Sequence, residues 1–133
     1  MHVYSKSDIP SQVSELIANL MPLLLEGDEA TLLVLRNQWS VATIASVEYS
    51  GAGFFANFSV PDSAMKTDPL NFCGGHADIS ASGVEHGAGC ALDIEQGTLS
   101  YLEIFTYGED WPEHPQDVVI SNAKSVKHNG LVF

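Results

Sequence analysis

The 133-residue chain is long enough for one domain with its own core, and its 45% apolar content places it among globular rather than disordered sequences. A formal net charge of −12 disfavours nucleic acid and anionic membrane surfaces as partners, since both demand neutralising Lys and Arg. No run approaches the ~18 apolar residues of a membrane-spanning helix, and "MHVYSKSDIP" has no apolar signal region, so a cytoplasmic location is expected.

Residues 8 to 25, "DIPSQVSELIANLMPLLL", read as a first helix. Ser7 or Asp8 can cap it, Pro10 is tolerated in the first turn, and Val13, Leu16, Ile17, Leu20 and Leu24 make one apolar stripe. Pro22 lacks the amide hydrogen that an inner turn needs, so the helix is expected to kink or stop near Met21. Gly27 then breaks the chain, and Asp28 can cap a shorter helix, "EATLLVLRNQW", with Leu32, Leu35 and Trp39 along one side.

From Ser40 the period changes. "VATIASVEYS" and "FFANFSV" flank "GAG", which is a hairpin signal. "PDSAMKTDPLNFCGG" reads as a long irregular excursion of the kind that often carries function. "HADISAS" is a short strand followed by the glycine-rich "GVEHGAG", and "CALDIEQ" and "TLSYLEIFTY" face each other across Gln96-Gly97. "QDVVISNAK" is a last strand, and the tail "HNGLVF" has three apolar residues able to dock back. The order implies a single α+β domain over residues 1–133, with two N-terminal helices packed on a mostly antiparallel sheet of five to six strands.

Several constellations could carry chemistry. His76 and Asp78 alternate on one strand face, Glu85 and His86 lie nearby, and Cys73 and Cys90 bracket them, all residue types that bind zinc. The spacing matches no HExxH or CxxC pattern, and neither a metal nor a cofactor is expected. "CGGH" offers a thiol beside exposed amides, yet no nucleophile signature surrounds either cysteine. Both thiols are expected free, Cys90 as a small buried hydrophobe, although one disulfide could join them. On "SYLEIFTY", Tyr101, Glu103, Phe105 and Tyr107 share a face, and Asp93 and Glu95 share one across the hairpin. If Glu103 and Asp93 lie together, repulsion and burial raise one pKa; otherwise Glu103 simply faces solvent. "GVEHGAG" fails as a phosphate loop, because no GK[ST] follows and its surroundings are acidic.

Charge is distributed unevenly. No Lys or Arg occurs between Lys66 and Lys124, a span that holds ten acids from Asp68 to Asp117. Such a span is either a solvated face that maintains solubility or a docking surface for a basic protein.

The segments "SGAGFFANFSVP" and "GGHADISASGVEHGAGCALDIEQGTLSYLEIFTYGEDWPE" resemble a group of small bacterial proteins without assigned function. The shared features are an aromatic strand ending in Val-Pro, a Gly-Gly-x-Ala segment, a His-Gly-Ala-Gly turn, and a Leu-Glu-x-aromatic-Thr-Tyr-Gly strand ending in Trp-Pro, over roughly residues 28 to 114. The resemblance implies kinship and no particular reaction; by analogy of class it suggests an immunity or antitoxin partner.

The leading expectation is therefore a non-enzymatic acidic protein that binds a basic protein partner through Tyr107, Glu109, Asp110, Trp111, Glu113 and His114. The alternative is a small enzyme or ligand-binding domain with a pocket near Cys73, His76, His86 and Glu103. A homodimer through the aromatic strand is a third possibility. Trp111 is expected either to stand exposed as an anchor or to pack back over the core edge.

Overall fold

The computed structural model describes residues 2–126 and 131–132 of the chain. Helix α1 spans Ser11–Leu24 and α2 spans Ala30–Trp39. The strands are β1 (His2–Ser5), β2 (Thr43–Tyr49), β3 (Gly53–Ser59), β4 (Phe72–Gly74), β5 (His76–Ala81), β6 (Val84–Glu95), β7 (Thr98–Thr106), β8 (Val119–Lys124) and β9 (Leu131–Val132). All pairings are antiparallel. The α+β class stands, and the strand count of five to six is too low, since the sheet has nine.

The undercount has a physical origin. The sheet order is β1-β2-β3-β7-β6-β4-β9, and β5 pairs with β6 on one side and β8 on the other. The twelve-residue β6 pairs β5 with its first half and β4 with its second, so two short strands complete one long neighbour. The missed β1, β4 and β9 are two to four residues long, too short to show a period. Strand β9 comes from the "HNGLVF" tail, of which only Leu131 and Val132 lie within the described residues.

Gly87, with φ +76°, lets β6 change course within what reads in sequence as a loop. Gln96 and Gly97, with φ of +53° and +81°, form the expected tight turn between β6 and β7. That backbone region is open to glycine and strained for most other residues.

Helix α1 continues through Pro22 to Leu24 rather than stopping at Met21. Leu20, Met21, Leu24 and Leu25 are fully buried, and burying each such side chain contributes roughly 1.5–3 kcal/mol, which together exceeds the ~3 kcal/mol cost of an internal proline. No side-chain cap holds either helix: Pro10 and Glu29 occupy the N-cap positions, and Asp8 instead accepts a 2.9 Å hydrogen bond from the Ser5 hydroxyl.

Both helices cover one face of the sheet. Their buried residues join Val47, Phe54, Ala56, Leu92, Ile94, Leu102 and Ile104 in one core cluster. The opposite parity on the same strands supplies Glu48, Phe55, Ala91, Asp93, Tyr101, Glu103 and Phe105, all half-buried. This second face is the one without helices.

The excursion after Pro61 is anchored rather than free. The Thr67 amide donates to the Gly97 carbonyl at 3.0 Å, and the Gly97 amide donates to Leu70 at 2.8 Å. Gln38, buried on α2, donates through Nε2 to the carbonyls of Met65 and Gly97, each at 2.8 Å, and accepts the Leu99 amide at 3.0 Å. One side-chain amide thus ties helix, loop and hairpin together.

Candidate functional site

Cross-strand register builds the helix-free face into rows. One row runs Val3, Glu48, Phe55, Glu103, Ala91; the next runs Ser46, Asn57, Tyr101, Asp93, Cys73. Asp93 therefore faces Tyr101 directly and lies diagonal to Glu103, on the shared face expected from the alternation. The rings of Phe55 and Tyr101 meet edge to face at 5.5 Å, and those of Phe105 and Tyr107 do so at 5.8 Å. Phe105 and Tyr107 lie over Gly89, where an added Cβ would come within 2.5 Å of the tyrosine oxygen. Glycine in this segment makes room for aromatic rings rather than for a turn.

The electrostatics of this face are one-sided. Burial, followed by repulsion and hydrogen bonding from Glu95, pushes the Asp93 carboxyl up to about 6. Its Oδ2 is shielded from water and has no hydrogen-bond partner. Glu95 in turn accepts a 3.0 Å bond from the Ser100 hydroxyl. The paired-carboxylate effect is present, with Glu95 rather than Glu103 as the neighbour that acts on Asp93. Tyr101 is raised by burial first and then by Asp93, Glu103 and Glu95. Cys73 is raised by burial and then by Asp93, so its thiol is held protonated and is a poor nucleophile.

The segment from Tyr107 to His114 crosses the end of the sheet from this face to the core side. Tyr107, Asp110, Glu113 and His114 are exposed. Trp111 is only 5% exposed and packs against Phe54 at 5.9 Å, while its amide donates to Gly51 at 2.9 Å. The expectation of Trp111 as an exposed binding anchor is corrected, because the indole closes the edge of the core. Glu109 is turned inward to a structural task. Its Oε1 accepts the His86 amide at 2.7 Å and lies 3.4 Å from the imidazole, and these backbone contacts hold its carboxyl below the usual range. The hydroxyl of Thr106 donates to the Glu109 carbonyl and tightens the same turn.

The alternative pocket does not assemble. Cys73 is opposite Asp93 on β6, and His86 is seven residues away along that strand, on the order of 20 Å at ~3.3 Å per residue. Glu103 pairs with Ala91, two strands from Cys73. His76 instead contacts Asp78 at 3.0 Å, as their alternation implies, and Asn122 donates to the other Asp78 oxygen at 2.8 Å. These bonds, Asn122 first, hold the Asp78 carboxyl low. Both cysteines are free, and burial pushes Cys90 up to about 11, as suits an inert core thiol.

Glu85, His86 and Glu109 place one ligand atom each within 4.8 Å of one another, a donor set that a divalent cation accepts. All three lie near the surface, and the carboxylate of Glu109 is already engaged by backbone amides. The sequence showed Glu85-His86 as a pair but gave no sign that Glu109 joins it, since the two segments meet only through the sheet. A groove of about 380 Å³ between α1 and residues 115–120 is lined by Gln12, Glu15, Asn19, Gln116 and Asp117 among others, and contains none of the expected site residues. No helix among the described residues is long and apolar enough to cross a membrane. Comparison with protein families, curated proteins and solved structures returned no match.

Proposed function

We propose that this is an acidic, non-enzymatic protein that docks a basic protein on the helix-free face of its sheet. The observation that carries the reading is the composition of that face: Glu48, Asp93, Glu95 and Glu103 interleave with Phe55, Tyr101, Phe105 and Tyr107. No lysine or arginine lies between residues 67 and 123 to neutralise them. Aromatic side chains supply contact area at little entropic cost, and surrounding acids accelerate encounter with a cationic surface. Exposed Asp110, Glu113 and His114 continue the polar surface around the end of the sheet, beyond that face. The surface is thus broader than the segment from Tyr107 to His114 and does not depend on Trp111.

A partner that itself acts on nucleic acid carries the required basic surface. An immunity or antitoxin role against a bacterial nuclease is the specific form this reading takes. A pocket enzyme is disfavoured by the separation of Cys73, His76, His86 and Glu103 described above.

Capture from host extract with the wild-type chain and with the Glu48→Lys/Glu103→Lys variant tests the reading. A high-pI protein should be retained by the first and released by the second. Once purified, it should bind the wild type at least tenfold more weakly at 200 mM than at 50 mM salt. Equal retention by the charge-reversed variant, or salt-independent affinity, overturns the reading.

A further inference from the structure

Residues 85 and 86 break the alternation of β6. The pairs Ile79–Ala88 and Ala81–Val84 leave Ser80 alone opposite Glu85, His86 and Gly87, so β6 bulges there. On a regular strand neighbouring side chains point to opposite faces, and a bulge re-aims them. Gly87 adopts a φ of +76°, open to glycine, and its carbonyl accepts the Tyr107 amide at 3.3 Å, which holds the segment after β7 alongside. The consecutive Glu85 and His86 converge with Glu109, and one ligand atom from each lies within 4.8 Å of the others.

Two observations separate this cluster from a chance meeting of surface acids. The first is its donor chemistry. An imidazole nitrogen beside two carboxylates is the mixed nitrogen and oxygen set that borderline divalent metals take. The second is spacing. His86 Nδ1 stands 3.4 Å from Glu109 Oε1, longer than the roughly 2.7–3.2 Å of an N–H···O hydrogen bond. Tetrahedral bonds of about 2.0–2.1 Å to one ion place ligand atoms about 3.4 Å apart.

Glu109 is also oriented. Its Oε1 accepts the His86 amide at 2.7 Å, and the Thr106 hydroxyl donates to its backbone carbonyl. Carboxylate ligands of metals are ordinarily fixed by such hydrogen bonds, and a carboxylate with one amide donor keeps further lone pairs to offer. Glu85 and Glu109 line one surface hollow of about 410 Å³ with Ala81, Gly83 and Val84, which gives water access to the open side.

We propose that Glu85, His86 and Glu109 bind one zinc ion, through His86 Nδ1 and an oxygen of each carboxylate, with water in the fourth position. The two carboxylates balance the charge of the ion. Magnesium and calcium suit the place less, since both prefer oxygen ligands alone and higher coordination numbers. The ion joins the β5–β6 hairpin to the segment after β7, across 23 residues of sequence. The site uses none of the acids invoked for docking, so the two readings stand or fall separately.

Zinc titration into the chelator-treated full chain tests this, by calorimetry and by zinc-edge X-ray absorption. One equivalent should bind, at least tenfold tighter than magnesium or calcium. Its first shell should hold nitrogen and oxygen at about 2.0–2.1 Å and no sulfur at about 2.3 Å, which separates the site from capture by Cys73 or Cys90. His86→Gln and Glu85→Gln, both at exposed positions, should each weaken zinc binding tenfold or more while leaving the zinc-free melting temperature unchanged. Zinc should raise the melting temperature of the wild type but not that of His86→Gln. No saturable binding, sulfur in the first shell, equal affinity for magnesium, or zinc affinity unchanged in both variants would overturn the site.

Discussion

At pH 7 the Asp93 carboxyl is ionised where burial and the neighbouring Glu95 both favour its neutral form. Its pKa is raised by folding from 3.8 to about 6, so the native state binds more protons than the unfolded chain between those values. The stabilising contribution of the protonated form is complete below about pH 4 and is lost as pH rises through about 6. Above that the charge is a constant cost. Asp93→Asn removes the charge and keeps a donor toward Glu95, so it should stabilise the protein at pH 7. Because the side chain is still in contact with water, the gain is discounted to about 1 kcal/mol, or roughly 3–4 °C in melting temperature. Melts of wild type and variant at pH 4 and pH 7 check this: the gain should be present at pH 7 and vanish at pH 4. A destabilised variant at pH 7 would show that Asp93 is structural rather than held for a partner. The chain would then be keeping this acid for no binding reason.

Between elements, the least legible feature is Gln38. On α2 it reads as an ordinary polar helix residue, yet it is 1% exposed and satisfies three backbone groups from residues 65, 97 and 99. Contacts 27 to 61 residues away in sequence leave no local trace. Gln38→Leu keeps the approximate volume and leaves the Leu99 amide buried without its acceptor, so it should cost about 2–3 kcal/mol, read as a lowered denaturant midpoint with unchanged slope. What was legible is what alternates locally. The hairpin turn at Gln96-Gly97, the Tyr101/Glu103/Phe105 face and the stripe of α1 all follow from period and turn chemistry. The course of α1 past Pro22 was not, because the burial of Met21 and Leu24 that outweighs the lost hydrogen bond depends on the sheet beneath. Trp111 was legible only as one of two alternatives, and Phe54, which decides between them, lies 57 positions earlier in the chain.

For the whole molecule, the charge of −12 decides how the open face can be covered. A homodimer through the aromatic strand is excluded as edge pairing, because β7 lies inside the sheet between β3 and β6. Face-to-face association would set Glu48, Asp93, Glu95 and Glu103 of one copy against the same acids of another, and β2, β3, β6 and β7, which form the middle of that face, carry no lysine or arginine. Repulsion between such surfaces is strongest at low ionic strength, where the Debye length reaches ~30 Å at 0.01 M. The chain should therefore run as a monomer of 14.3 kDa by light scattering at low salt and pH 7.5. Raising the salt to 0.5 M shortens that range to a few ångströms, which should raise the melting temperature by relieving self-repulsion within each copy. A stable mass of twice the monomer at low salt would mean that the face is closed by a second copy, and that no basic partner is needed to cover it.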